Sequence, residues 1–161
     1  MNWQQLCRSL DLTPLILEGY SLADQLCMLQ KASLLVSMHG AALAHMLFLR
    51  NRERPLRVIE IFPDGFRKSI YRNLALVMGP RLVDYRWLEA ARSSDRRGIV
   101  PGETVDWTNQ TSKDKFRNQN VFVDIEEFRR VVEFEDKPGE KYLLYMPWEQ
   151  FNNQLISLRC A

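Results

Sequence analysis

Apolar positions along this chain alternate between unbroken runs and helical stripes. Pro14-Leu-Ile-Leu17, Ser33-Leu-Leu-Val-Ser-Met38 and Leu56-Arg-Val-Ile-Glu-Ile-Phe-Pro63 are short apolar runs without helical spacing. They read as strands, the second and third buried on both faces of a parallel sheet. Between the first two, Ser21 caps a helix running to about Lys31, with Asp24 in the capping-box position and an apolar stripe of Leu22, Leu26, Leu29 and Cys27, the last read as a buried thiol. Ala41 to Leu49 reads as a short buried helix, and Arg50 to Pro55 as a charged loop. A further helix is predicted over 66–78, turning Ile70, Leu74, Val77 and Met78 inward and stopped by Gly79-Pro80. Arg81 to Trp87 alternates like a strand nearer the sheet edge. The order β-α-β-α-β-α-β predicts an α/β fold, a Rossmann-like open parallel sheet with right-handed crossovers.

Residues 89 to 120 are polar and aperiodic, with Arg92, Arg96 and Arg97, and read as a long exposed loop. Asp124 to Val132 opens with a second capping box, Asp124 with Glu127, and places Ile125, Phe128 and Val132 on one face of a helix that packs back on the sheet. Glu135-Asp-Lys-Pro-Gly-Glu140 is a linker signal, so the expected division is a domain over 1–134, a linker over 135–140 and a separate segment over 141–161.

The chemistry concentrates where the second strand ends, at His39-Gly40-Ala41-Ala42. Gly40 is expected at positive φ, and the small side chains of Ala41 and Ala42 leave the backbone N–H groups that open the next helix uncovered, a place for a diphosphate. Glu60 follows about 20 residues after the glycine turn, the distance at which doubly wound sheets place an acidic residue on ribose hydroxyls. The G-x-G-x-x-G fingerprint is absent, which argues against NAD and for a shorter nucleotide diphosphate. The residues also admit plainer readings: His39 as a core histidine bonded to backbone, Glu60 as a solvated strand-end charge, Arg67 and Lys68 as a solvated helix end. His45 reads as structural and Asp24 as a cap; His39 and His45 lack the i, i+4 spacing of a helical metal pair.

At 161 residues and 46% hydrophobic content the chain can bury one real core. A net charge of +2 shows no bias toward nucleic acid or an anionic membrane. Cys7, Cys27 and Cys160 have no C-x-x-C spacing, so neither a zinc site nor a disulfide framework is indicated. No stretch reaches the roughly 18 apolar residues of a membrane span, and Met1 to Leu10 lacks the apolar core of a signal peptide. Asn109-Gln-Thr111 is a glycosylation sequon. There is no D-x-D motif, so a metal-independent site is expected.

The blocks Ser21 to Leu26, Ala32 to Leu43, Leu47 to Leu49 and Val58 to Pro63, in this order and spacing, resemble the C-terminal half of the family 61 glycosyltransferases. The likeness covers roughly residues 13 to 134; many members carry a Gly where Ala42 stands. It implies the nucleotide-binding half of a GT-B fold and inverting transfer of N-acetylglucosamine, or xylose, from a UDP-sugar to a hydroxyl of a glycoprotein. It further implies a catalytic role for His39, donor binding by Gly40, Ala41, Ala42 and Glu60, and work in the lumen of the endoplasmic reticulum or Golgi, any membrane anchor lying outside this chain. Residues 141–161 resemble the opening strand, asparagine-rich turn and first helix of O-fucosyltransferase-like domains. Two alternatives stay open: a non-catalytic nucleotide-binding or structural domain of the same fold, and a dehydrogenase.

Overall fold

The computed structural model describes residue 8 and residues 12–89, 103–118, 125–133 and 156–160. The chain forms two compact units, one of Met1–Glu60, Lys68–Trp87 and Asn152–Ala161, the other of Ile61–Arg67 and Leu88–Phe151. The predicted linker over 135–140, the run beginning at Tyr142 and the Asp124 cap lie outside the described residues.

The elements from Thr13 to Glu89 follow the predicted order. Strand β1 (Thr13–Leu15) leads to helix α1 (Leu22–Lys31), strand β2 (Ala32–Met38), a 3₁₀ helix (Ala41–Phe48), strand β3 (Leu56–Phe62), helix α2 (Ile70–Met78) and strand β4 (Val83–Glu89). The sheet order is β1-β5-β2-β3-β4, with β2, β3 and β4 parallel and β5 (Ile156–Cys160) antiparallel between β1 and β2. The parallel part therefore matches the expected class, and the sheet as a whole is mixed. The segment read as the first helix of another domain supplies a strand of this sheet instead, since Ile156-Ser-Leu-Arg-Cys160 has the period-two alternation of a strand. Its register carries Ser37 opposite Ile156 and Leu35 opposite Leu158, with a bulge between Ala32 and Leu34.

Burial matches the strand runs. Leu34, Leu35 and Val36 of β2 and Val58 and Ile59 of β3 are buried, the near-continuous apolar pattern of strands covered on both faces. Ser21 caps α1 as predicted, its hydroxyl accepting from the Asp24 N–H at 3.2 Å. The stripe is shifted, however: Leu29 is buried and Met28 packs on the core, while Leu22 is 57% exposed and the Cys27 thiol is exposed rather than buried. Helix α2 starts at Ile70, four residues later than predicted, and ends at Gly79, whose φ of 81° suits glycine. Its inward set is Tyr71, Leu74, Ala75 and Met78, whereas Ile70 and Val77 are exposed.

The charged loop after the 3₁₀ helix ties off α1. The Arg52 guanidinium donates to the carbonyls of Leu29 (3.3 Å) and Ala32 and, through Nε, to Arg54 O at 3.1 Å. Gln30 closes the same corner, its amide donating to Arg50 O and its carbonyl accepting from the Arg50 N–H. A cation on the last carbonyls of a helix satisfies acceptors that no further turn can reach. Burial lowers the Arg52 pKa, the expected direction for a cation drawn out of water.

In the second unit, Phe66 and Phe116 are buried together, with Trp107 tilted against Phe66 at 5.3 Å between ring centroids. Glu89, nearly buried, accepts from the Gly65 N–H at 3.1 Å and pairs with Arg67, so Arg67 is held by a carboxylate rather than left as a solvated helix end. Helix α3 (Gln110–Arg117) is capped by Asn109, which accepts from the Thr111 N–H at 2.9 Å and the Ser112 N–H at 3.3 Å. Helix α4 (Ile125–Glu133) buries Phe128, Val131 and Val132, two of them among the residues assigned to its apolar face. Among the described residues no helix is long and apolar enough to cross a membrane.

Candidate functional site

A side chain of the turn after β2 meets side chains from two strands and one helix. His39 follows Met38 at the strand end, and its Nδ1 bonds Oε1 of Glu60, on β3. The other carboxylate oxygen of Glu60 accepts from the Tyr85 hydroxyl, on β4. The Tyr71 ring, on α2, lies 5.3 Å from the His39 imidazole at an interplanar angle of 57°. All four residues belong to the first unit.

Glu60 is 0% exposed, and the His39 side chain is 9% exposed. The carboxylate expected to meet ribose hydroxyls is thus inside the protein with both oxygens engaged. The pattern explains why: in Leu56-Arg-Val-Ile-Glu-Ile-Phe62 every neighbour of Glu60 on either face but Arg57 is apolar, so the strand carries the carboxylate in with it. A buried carboxylate is tolerated only when paired and hydrogen-bonded, which His39 and Tyr85 accomplish. Burial, followed by the Glu60 charge and its hydrogen bond, pushes the Tyr85 phenol far above its ordinary range, and burial and the Glu60 charge raise Tyr71 in the same direction. Both rings therefore stay neutral near pH 7, and Tyr85 remains a donor.

Gly40 departs from expectation in conformation. Its φ is 179°, extended backbone that any residue adopts, so the turn makes no steric demand for glycine. A Cβ built there would meet only the Met38 carbonyl, at 3.7 Å. The segment that follows is helical as predicted, but wound as a 3₁₀ helix whose opening bond runs from the Leu43 N–H to Gly40 O at 3.1 Å. The N–H groups of Ala41 and Ala42 precede that bond, the position of the unsatisfied donors at any helix start. Ala41 is exposed and Ala42 half-buried. The positive φ expected of Gly40 is therefore not observed, and Ala42 packs against the core.

His45 has a structural place. Its Nδ1 bonds Ala42 O and its Nε2 bonds the Gln25 side-chain oxygen, both at 2.8 Å, while the Gln25 amide nitrogen donates to Leu17 O and Tyr20 O. His45 thereby fastens the 3₁₀ helix to α1 and to the segment after β1, beside a small cavity lined by Leu15, Leu17, Leu29 and Leu35. Tyr85 and Tyr71 were not singled out by sequence reasoning. The one available signal was the parallel alignment itself, which sets Tyr85 on the strand beside Glu60.

Comparison with known proteins finds a partial likeness. A stretch of 92 residues is 35% identical to protein O-linked-mannose β-1,4-N-acetylglucosaminyltransferase 2 of Homo sapiens, covering 55% of this chain and 14% of that protein. The Pan troglodytes protein matches equally, and the Mus musculus protein is 36% identical over 81 residues, 48% of this chain and 13% of its own. This chain spans about one seventh of the length of these relatives. No family model and no solved structure matches it.

Proposed function

We propose that this chain carries the nucleotide-diphosphate site of an inverting glycosyltransferase of GT-B type. In this reading a UDP-sugar donates N-acetylglucosamine or xylose to a hydroxyl of a glycoprotein in the lumen of the endoplasmic reticulum or Golgi. The observation that carries the reading is that His39 and the Gly40-Ala41-Ala42 helix start follow directly on the carboxyl end of β2. Ligands of open α/β sheets bind outside the carboxyl ends of the strands. The printed name of the relatives supports sugar transfer as the class of reaction.

The chemistry follows from what the groups can do. When the glycosidic bond breaks, negative charge collects on the departing diphosphate. The N–H groups of Ala41 and Ala42, fixed in direction before the reaction, stabilise that charge more than the ground state, which lowers the barrier. His39 lies next to them as a further polar partner. With no D-x-D motif in the sequence, we assign the neutralisation of charge to these groups. A general base must take the proton of the attacking hydroxyl, and none of the described residues is assigned that role.

Titration of the folded chain with UDP, UDP-N-acetylglucosamine, GDP and NADH by ligand-observed NMR tests the reading. Uridine nucleotides are expected to bind selectively with Kd near 1 mM, about −4 kcal/mol, and His39→Ala to weaken them. A folded chain that binds none of the four favours a domain that keeps the fold without the donor site, and NADH binding alone favours a dehydrogenase.

A further inference from the structure

The buried carboxylate at the strand end has a use that ribose binding does not explain. Glu60 is an acceptor on both oxygens, and each faces a group able to donate: His39 through Nδ1, Tyr85 through its hydroxyl. A carboxylate opposite Nδ1 requires the proton to sit on Nδ1. A histidine side chain in water prefers the opposite neutral form, with the proton on Nε2. We propose that Glu60 holds His39 in its Nδ1–H form and that Tyr85 is a positioning residue that keeps the Glu60 carboxylate in place for that bond.

Three observations support this assignment. Glu60 has no exposure, so no water competes for the oxygen that His39 uses. Tyr85 occupies the second oxygen and removes the freedom of the carboxyl group to rotate away. Tyr71 lies against the imidazole ring, which limits its tilt. A carboxylate that fixes the tautomer and direction of a histidine is a recurring catalytic arrangement, and exchanging the acid for its amide there leaves the geometry but selects the wrong tautomer. The inference rests on the nucleotide-site reading for what His39 meets; the lock itself is a property of the chain without ligand.

The test separates the two. Long-range ¹H–¹⁵N correlation on the ¹⁵N-labelled full chain, at a pH where the ring is neutral, reports which nitrogen of His39 carries the proton. Wild type is expected to show Nδ1–H, and Glu60→Gln, whose amide can donate to the ring, to shift His39 toward Nε2–H. Tyr85→Phe should keep Nδ1–H and bind UDP about fivefold more weakly. Wild-type His39 found as Nε2–H would overturn the lock, and that measurement needs no variant to fold. A folded Glu60→Gln chain that stays Nδ1–H would overturn it as well, and a Tyr85→Phe chain with wild-type affinity would remove Tyr85 from it. Absence of UDP binding with the tautomers behaving as expected would count against the nucleotide reading alone.

Discussion

The two ends of β2 use polar groups in opposite ways. At the N-terminal end, Arg52 donates to main-chain carbonyls, Ala32 O and Leu29 O among them, and so completes the backbone hydrogen bonding of a helix stop. At the C-terminal end, His39, Glu60 and Tyr85 bond side chain to side chain. The first arrangement solves a problem that the fold itself creates, because a helix always ends with unpaired acceptors. The second creates its own problem, a buried carboxylate, and then solves it. Three apolar residues would fill the same space without a desolvation cost. A polar cluster that the backbone does not need is the feature to follow toward function.

This contrast sets the expected order of effects. Glu60→Ala should be the most damaging, losing about 3 kcal/mol in urea unfolding, because it leaves Tyr85 and His39 with unmade bonds in a dry pocket. A loss below about 0.5 kcal/mol would break the claim of burial. Arg52→Ala should lower stability by about 1 kcal/mol, since the guanidinium is only partly buried, and leave the tautomer of His39 and UDP affinity unchanged. A changed tautomer in that variant would couple the two ends and erase the distinction between them. Gly40→Ala should change stability least, by under about 0.5 kcal/mol, because its backbone is extended and a Cβ has room. If small residues here serve a diphosphate, the same variant should still bind UDP more weakly.

The strand runs were legible because a buried parallel sheet demands unbroken apolar sequence, and β2, β3 and their order follow directly. Helix faces were less so. In α2, Ile70, Tyr71, Leu74, Ala75, Leu76, Val77 and Met78 are apolar nearly all round, so the sets 70, 74, 77 and 71, 74, 75, 78 both fit a 3.6 period. Only the neighbours choose between them. Strand β5 was hidden for another reason: its partners β1 and β2 lie more than 100 residues earlier, and its short alternation carries no sign of where it pairs. At the candidate site, sequence reading singled out His39, the turn and Glu60 but gave no sign that Glu60 faces inward, since a single acidic residue in an apolar strand reads alike whether it faces a ligand or a histidine. Arg52 was hidden in a charged loop whose pattern carries no sign of the carbonyls it serves.

The 3₁₀ winding of Ala41–Phe48 also has a mechanical side. Eight residues at about 2.0 Å per residue span roughly 16 Å, while the same residues at the α-helical 1.5 Å would span roughly 12 Å. The 3₁₀ winding thus carries the chain roughly 4 Å further than an α-helix of the same residues would. The bond from His45 to Gln25 fixes this elongated segment to α1 part-way along its length.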